Sequence, residues 1–229
     1  LEGVAALSGP SAMIRLTPTA ASDGHLRVLC LGAHSDDIEI GCAGTLLRWL
    51  EEFRSIEVLW VVFSATGDRA EEARRSAEQL LGGTASKQLV FGDFVDGRIQ
   101  AEFDRAKDFT SELSQRMNPD VVLTHRIEDR HQDHRIVAEL TWQTWRDHLV
   151  LEYEIPKYEG DLGQPNVYVP ITAAQREQKL RHLNEHFATQ RSKGWFRDDT
   201  FDAMMRLRAI ECRAPSGYAE AFHARKLTL

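Results

Sequence analysis

Cysteine is scarce in this 229-residue chain: Cys30, Cys42 and Cys212 are the whole supply, and no two form a CxxC pair. Three scattered thiols exclude a disulfide framework and a thiolate zinc knuckle, and they fit a reducing cytoplasm. Long apolar runs are also missing. None approaches the roughly 20 residues a membrane helix requires, so no integral membrane segment is expected. A basic excess is absent as well, with 28 Lys and Arg against 35 Asp and Glu, a formal charge of −7 and a pI near 5.7. That balance disfavours a nucleic-acid partner, because phosphate contact needs a positive field. No internal repeat, low-complexity segment or composition shift marks a second domain. The opening LEGVAALSGPSAM lacks the basic leader of a secretory signal. Residues 1–24 read as an N-terminal extension that need not be native throughout, with Met13 a candidate start, and residues 25–229 as a single domain.

Hydrophobic residues make up 42% of the chain, too many for a disordered polymer. They alternate in type along the sequence. Val28 to Ala33, Glu57 to Ser64, Lys87 to Phe91 and Asp120 to Thr124 are short apolar runs of the kind buried in parallel sheets. Between and after them, residues 41–53, 69–81, 103–117 and 133–147 carry apolar positions at helical spacing, and Gly82-Gly83 and Asn118-Pro119 supply stops. Strand and helix in this order predict βαβ units and a Rossmann-like, mainly parallel α/β sheet sandwiched by helices. LVLEYEI and NVYVPI read as two further strands, followed by helices near 173–187 and 199–211. The turn-rich stretch 156–166 between those strands reads as a long functional loop overhanging a pocket.

In open parallel sheets, ligands bind beyond the carboxyl ends of the strands. The first strand runs into His34-Ser35-Asp36-Asp37-Ile38-Glu39, and the fourth into His125-Arg126-Ile127-Glu128-Asp129-Arg130-His131-Gln132-Asp133-His134. So many ionisable groups at strand ends are costly unless they find partners. His34 and Asp37 stand three apart, as do His131 and His134, a spacing that shares one face of a helical turn. Two histidines, one carboxylate and an open fourth position make a catalytic zinc set. Asp36 and either His131 or His134 would remain for proton transfer, which completes the inventory of a metal hydrolase. N-capping by Asp36 or Asp133 is the plain structural alternative.

AHSDDIE followed by HQDH resembles the PIG-L/LmbE-like zinc-dependent de-N-acetylases, whose motifs are AHPDDE-like and HPDH-like. GCAGTL at 41–46, TGDR at 66–69 and YAEAF at 218–222 resemble the segments that accompany those motifs, so the likeness spans about residues 27–225. The resemblance implies that His34, Asp37 and His134 bind the metal and that Asp36 is the general base. It implies that His131 stabilises the oxyanion or protonates the leaving amine, with Asp133 orienting His131 and raising its pKa. Arg69 and Asp96 are expected at the substrate, His125 behind the ligands, and Glu39 as a hydrogen-bond partner of a ligand or a helix cap. Ser35 replaces the family's proline. Asp129 stands where some relatives place a tyrosine, so Tyr153 or Tyr158 is the candidate replacement hydroxyl. The implied reaction is removal of acetyl from an N-acetylglucosamine-type sugar or conjugate, with zinc, or iron or another divalent ion, as cofactor. An amidase acting on a larger amide and a non-catalytic sugar-binding domain stay open beside it, as does association with further copies of the chain.

Overall fold

The computed structural model describes residues 16–18 and 25–228, so the N-terminal extension, Met13 included, otherwise lies outside the described residues. Seven strands form one sheet in the order β3-β2-β1-β4-β5-β7-β6. They are β1 (His25–Gly32), β2 (Ser55–Val62), β3 (Ser86–Phe91), β4 (Val121–Thr124), β5 (Leu149–Tyr153), β6 (Val167–Pro170) and β7 (Ala219–His223). The first five run parallel, and β7 pairs antiparallel with both β5 and β6. The expected α/β class and mainly parallel sheet are therefore present. The closing strand β7 was not anticipated; its residues carry the AEAF segment.

Among the described residues six α-helices cover the sheet: α1 (Asp37–Glu52), α2 (Gly67–Leu80), α3 (Phe103–Ser114), α4 (Gln132–Thr144), α5 (Ala173–His186) and α6 (Asp198–Cys212). Alternate residues of each strand point to opposite faces. Val28, Cys30, Val58 and Trp60 pack with Leu46, Leu180, Leu183 and Met205 on one face. Leu29, Leu31, Leu59 and Val61 pack with Ala106, Leu113, Val137 and Leu140 on the other. Hence α1, α2, α5 and α6 form one layer and α3 and α4 the second.

The helix that begins at the first motif is broken at Cys42, whose φ of −149° and ψ of 15° are not helical. Ile40 O and Gly44 N are partners in a regular helix. Here Ile40 O accepts from Lys179 Nζ at 2.6 Å, and Gly44 N donates to Glu220 Oε1 at 2.9 Å. Glu220 Oε2 also accepts from Thr45 N at 2.6 Å, and the two charges meet at 2.5 Å. A buried ion pair from α5 and β7 thus fills the gap in α1. A Cβ on Gly44 would fall 2.9 Å from Ile171 and 3.0 Å from Glu220, so only glycine lets the carboxylate approach.

Strand order reverses between β1 and β4, the place where doubly wound sheets open a crevice at their carboxyl edge. The two histidine-bearing loops leave the sheet on either side of that crevice.

Candidate metal centre

The β1–α1 turn holds His34, Asp36 and Asp37, all buried. Its shape is set locally: His34 N donates to Asp37 Oδ2 at 2.7 Å, and Asp36 O accepts from Ile40 N at 3.0 Å. The start of α4 holds His131, Asp133 and His134. His131 is the N-cap residue, its Nδ1 accepting from Asp133 N at 3.3 Å. With Nδ1 occupied as acceptor, the ring proton sits on Nε2.

Across the crevice His34 Nδ1 lies 3.2 Å from His134 Nε2. Asp37 Oδ2 is 3.4 Å from His34 Nδ1, and Asp37 Oδ1 is 3.5 Å from His134 Nε2. A tetrahedral zinc with bonds of about 2.0–2.2 Å separates its ligand atoms by roughly 3.3–3.6 Å. The two imidazole nitrogens therefore stand close to the separation of two ligands on one such ion, and Asp37 turns one oxygen toward each of them. Among the described residues, the triads whose donor atoms all lie within 4.8 Å of one another are His34/His131/His134, Asp37/His125/His134 and His34/Asp96/Asp133, so the three residues named from sequence fall across the first two. His125 is unsuited as a ligand in this arrangement, because its Nε2 already accepts from Ala33 N at 2.9 Å. It stacks on His134 with ring centroids 3.9 Å apart and lies 3.1 Å from Asp37, so it backs the site.

The charges respond to this crowding. Burial pulls Asp37 upward, but His134, His125 and His34 outweigh it and hold its carboxyl well below the usual range. Burial likewise opposes the charged form of His34, yet Asp37 and Asp133 carry its pKa well above the ordinary value. Burial and the stacked His134 push His125 down to about 4, so it is neutral. Asp36 moves the other way from Asp37: burial and the neighbouring Asp37 raise it, while Arg69 restrains the rise. Although Asp36 occupies the N-cap position of α1, its side chain makes no capping hydrogen bond. The carboxylate is left to face Arg69 Nη2 at 3.5 Å. Arg69 Nη1 donates to Asp96 Oδ2 at 2.6 Å, and Asp96 Oδ1 lies 3.1 Å from His34 Nε2. Loops after β1, β2, β3 and β4 thus converge on one crevice.

Residues 29–145 match the family model of PIG-L, the GlcNAc-PI de-N-acetylases. The chain belongs to this family. A protein of Escherichia coli strain K12 named as an uncharacterized deacetylase, YaiS, is 28% identical over 170 residues, covering 69% of this chain and 89% of its own length. Among solved structures, the N,N'-diacetylchitobiose deacetylase of Pyrococcus horikoshii is similar with a TM-score of 0.62 at 20% identity, over 86% of this chain and 83% of that one. The conserved protein TT1542 of Thermus thermophilus gives 0.66 at 22%, over 89% and 96%. GalB, the 4-carboxy-2-hydroxymuconate hydratase of Pseudomonas putida KT2440, gives 0.67 at 17%, over 89% and 98%. These structural likenesses establish the fold, and GalB shows that the fold hosts more than one chemistry.

Within this PIG-L member, the eight site residues named from sequence all line the crevice, but some relations differ from those expected. The Asp133 carboxylate does not orient His131. It accepts from Gly97 N at 2.6 Å and Ile99 N at 3.1 Å, and meets His34 Nε2 at 3.2 Å. The positive φ of Gly97 (76°) turns the β3–α3 loop so that these amides face it. The expected rise in the His131 pKa is also overturned: burial and the adjacent His134 and His34 lower it, outweighing the carboxylates. Glu39 neither caps a helix nor reaches a ligand; it is buried against Ser76. Tyr153 OH donates to Leu31 O at 2.6 Å, and Tyr158 OH accepts from Gly194 N at 3.0 Å. Sequence reading missed Lys193, which is exposed yet close enough to lower the pKa of Asp36. It also missed the bond that Asp129 makes to His134 Nδ1 at 2.9 Å. The motif spacing carries a signal for Asp129, a carboxylate two residues before a histidine pair; Lys193 has none.

Proposed function

We propose that this chain is a zinc-dependent de-N-acetylase that hydrolyses the acetamido group of an N-acetylglucosamine-type sugar or sugar conjugate to acetate and a free amine. One observation carries the reading: His34 Nδ1 and His134 Nε2 face each other at 3.2 Å with one Asp37 oxygen beside each, next to a buried carboxylate, Asp36, that is not spent on capping. Two nitrogens and one oxygen suit zinc and also admit iron. When bound, the ion supplies Lewis acidity that makes water acidic near neutral pH and polarises an amide carbonyl.

The protein's own groups do the rest. Asp36, its pKa raised by burial and Asp37, takes a proton from the attacking water. His131 donates a hydrogen bond through Nε2–H to the carbonyl oxygen as charge builds there, and the proton that Asp36 took from water passes to the amine nitrogen as the C–N bond breaks. Asp133, fixed by two backbone amides, holds His34 in place. Arg69 and Asp96, already joined to each other, present a donor fork and an acceptor to sugar hydroxyls. The P. horikoshii relative deacetylates N,N'-diacetylchitobiose, by its name, which supports an acetylated amino sugar as substrate here. No helix among the described residues is long and apolar enough to cross a membrane. The deciding experiment measures bound metal in the purified protein and screens acetylated amino sugars for stoichiometric acetate and primary amine. Release of a larger acid would favour the amidase alternative, and water addition without C–N cleavage would favour chemistry of the GalB kind.

A further inference from the structure

Asp129 stands where family resemblance directs attention to a tyrosine, and it is the hub of a buried polar chain. Its Oδ2 accepts from His134 Nδ1 at 2.9 Å and from Lys157 Nζ at 2.9 Å, and its Oδ1 accepts from His131 N at 2.8 Å. Lys157 Nζ also donates to Asp161 Oδ1 at 2.8 Å and Oδ2 at 2.9 Å. Asp161 Oδ2 accepts from Arg130 N at 2.7 Å, and its carbonyl accepts from Arg126 Nη1 at 2.9 Å. The side chains of Lys157, Asp129 and Asp161 are 7%, 5% and 6% exposed. One buried ammonium therefore joins two carboxylates and clamps the loop after β5 onto the loop that leads into α4.

The consequence lies at His134. A neutral imidazole that donates through Nδ1 to a carboxylate must present its lone pair at Nε2. That is the atom facing His34 and Asp37. Such a carboxylate fixes a ligand's tautomer and ring orientation only if it is itself held. Lys157 is the side-chain cation that holds Asp129. Without it Asp129 and Asp161 would each lose the ammonium that both carboxylates share.

We infer that Lys157 is a positioning residue of the metal centre, acting through Asp129 to hold His134 with its Nε2 turned inward, so that docking of the 156–166 loop sets metal affinity. The inference rests on the reading that His34, Asp37 and His134 hold the ion. The test is zinc affinity of metal-stripped protein, measured by competition with a chromophoric chelator and accompanied by melting curves. Wild type should take up one zinc per chain, and His134→Ala should not; failure of either speaks against the ligand reading and not against Lys157. Lys157→Met should weaken zinc binding about ten-fold, the lower end of effects at groups that orient ligands. Removing the ammonium alone leaves two buried carboxylates without their shared partner and endangers folding. The K157M/D161N double variant removes one charge of each sign and should show the same loss in a folded protein. Wild-type zinc affinity in either folded variant, even with a lowered melting temperature, would assign Lys157 to scaffolding alone and overturn the inference.

Discussion

Replacing Glu220 by Gln probes how the last strand supports the first motif. The Glu220 carboxylate accepts from Gly44 N, Thr45 N and Lys179 Nζ where α1 breaks at Cys42. Lys179 and Glu220 are 4% and 3% exposed, so water screens neither. The amide of Gln keeps one acceptor oxygen and turns an NH2 toward a donor that formerly met an oxygen. It also strands the Lys179 charge. Breaking a buried pair from one side costs about 3–5 kcal/mol. At about 2–4 °C per kcal/mol for a chain of this size, the melting temperature should fall by roughly 6–20 °C. The assay is thermal and urea unfolding of E220Q, K179M and the double variant. The double variant removes the orphaned charge, so its loss should be smaller than the sum of the two singles, with a coupling of about 1–3 kcal/mol. Additive losses, or an E220Q protein as stable as wild type, would refute the idea that this pair closes the gap in α1.

Asp36→Asn should lower kcat by about 10²–10⁴-fold while zinc content is retained, because the carboxylate acts on the proton and not as a ligand; loss of metal in this variant would reassign it. Arg69→Met removes a cation that restrains the Asp36 pKa. The acidic limb of the kcat/KM pH profile should then move to higher pH, since Asp36 must be ionised to act as base, and an unmoved limb contradicts that role. Glu154 is drawn up by burial but pulled below the usual carboxylate range by His223 and Arg208. Its folded pKa is thus below its unfolded value of about 4.3, so its contribution to stability is complete above that pH and fades as pH falls toward the folded pKa. Denaturant titrations of Glu154→Gln should lack this part of the acid-side loss; an acid profile identical to wild type would exclude the Glu154 carboxylate as its source.

The positions of the chemistry were legible because a parallel sheet sends every strand end to the same edge. His34 follows β1 and His134 opens α4 after β4, and apolar runs alone locate both strands. Four consecutive βα units therefore place Arg69 and Asp96 beside them without any contact being known. What could not be read was who holds whom. Asp133 is two residues from His131, and proximity in sequence suggests that they pair. At the start of a helix, however, the His131 ring turns back to cap the Asp133 amide, and the Asp133 carboxylate points away toward Gly97, Ile99 and His34. Those partners lie 34 to 99 residues off in sequence. The Lys157–Asp129 bond and the Lys179–Glu220 plug were hidden for the same reason, because each joins segments whose approach depends on the finished sheet. β7 escaped detection because five residues between two turns carry too short an alternation to separate from loop. Its register brings Glu220 opposite Val169, on the strand face that meets the gap in α1. A tail that reads as an ordinary closing segment is therefore part of what holds His34 and Asp37 in position, through the helix that Asp37 begins.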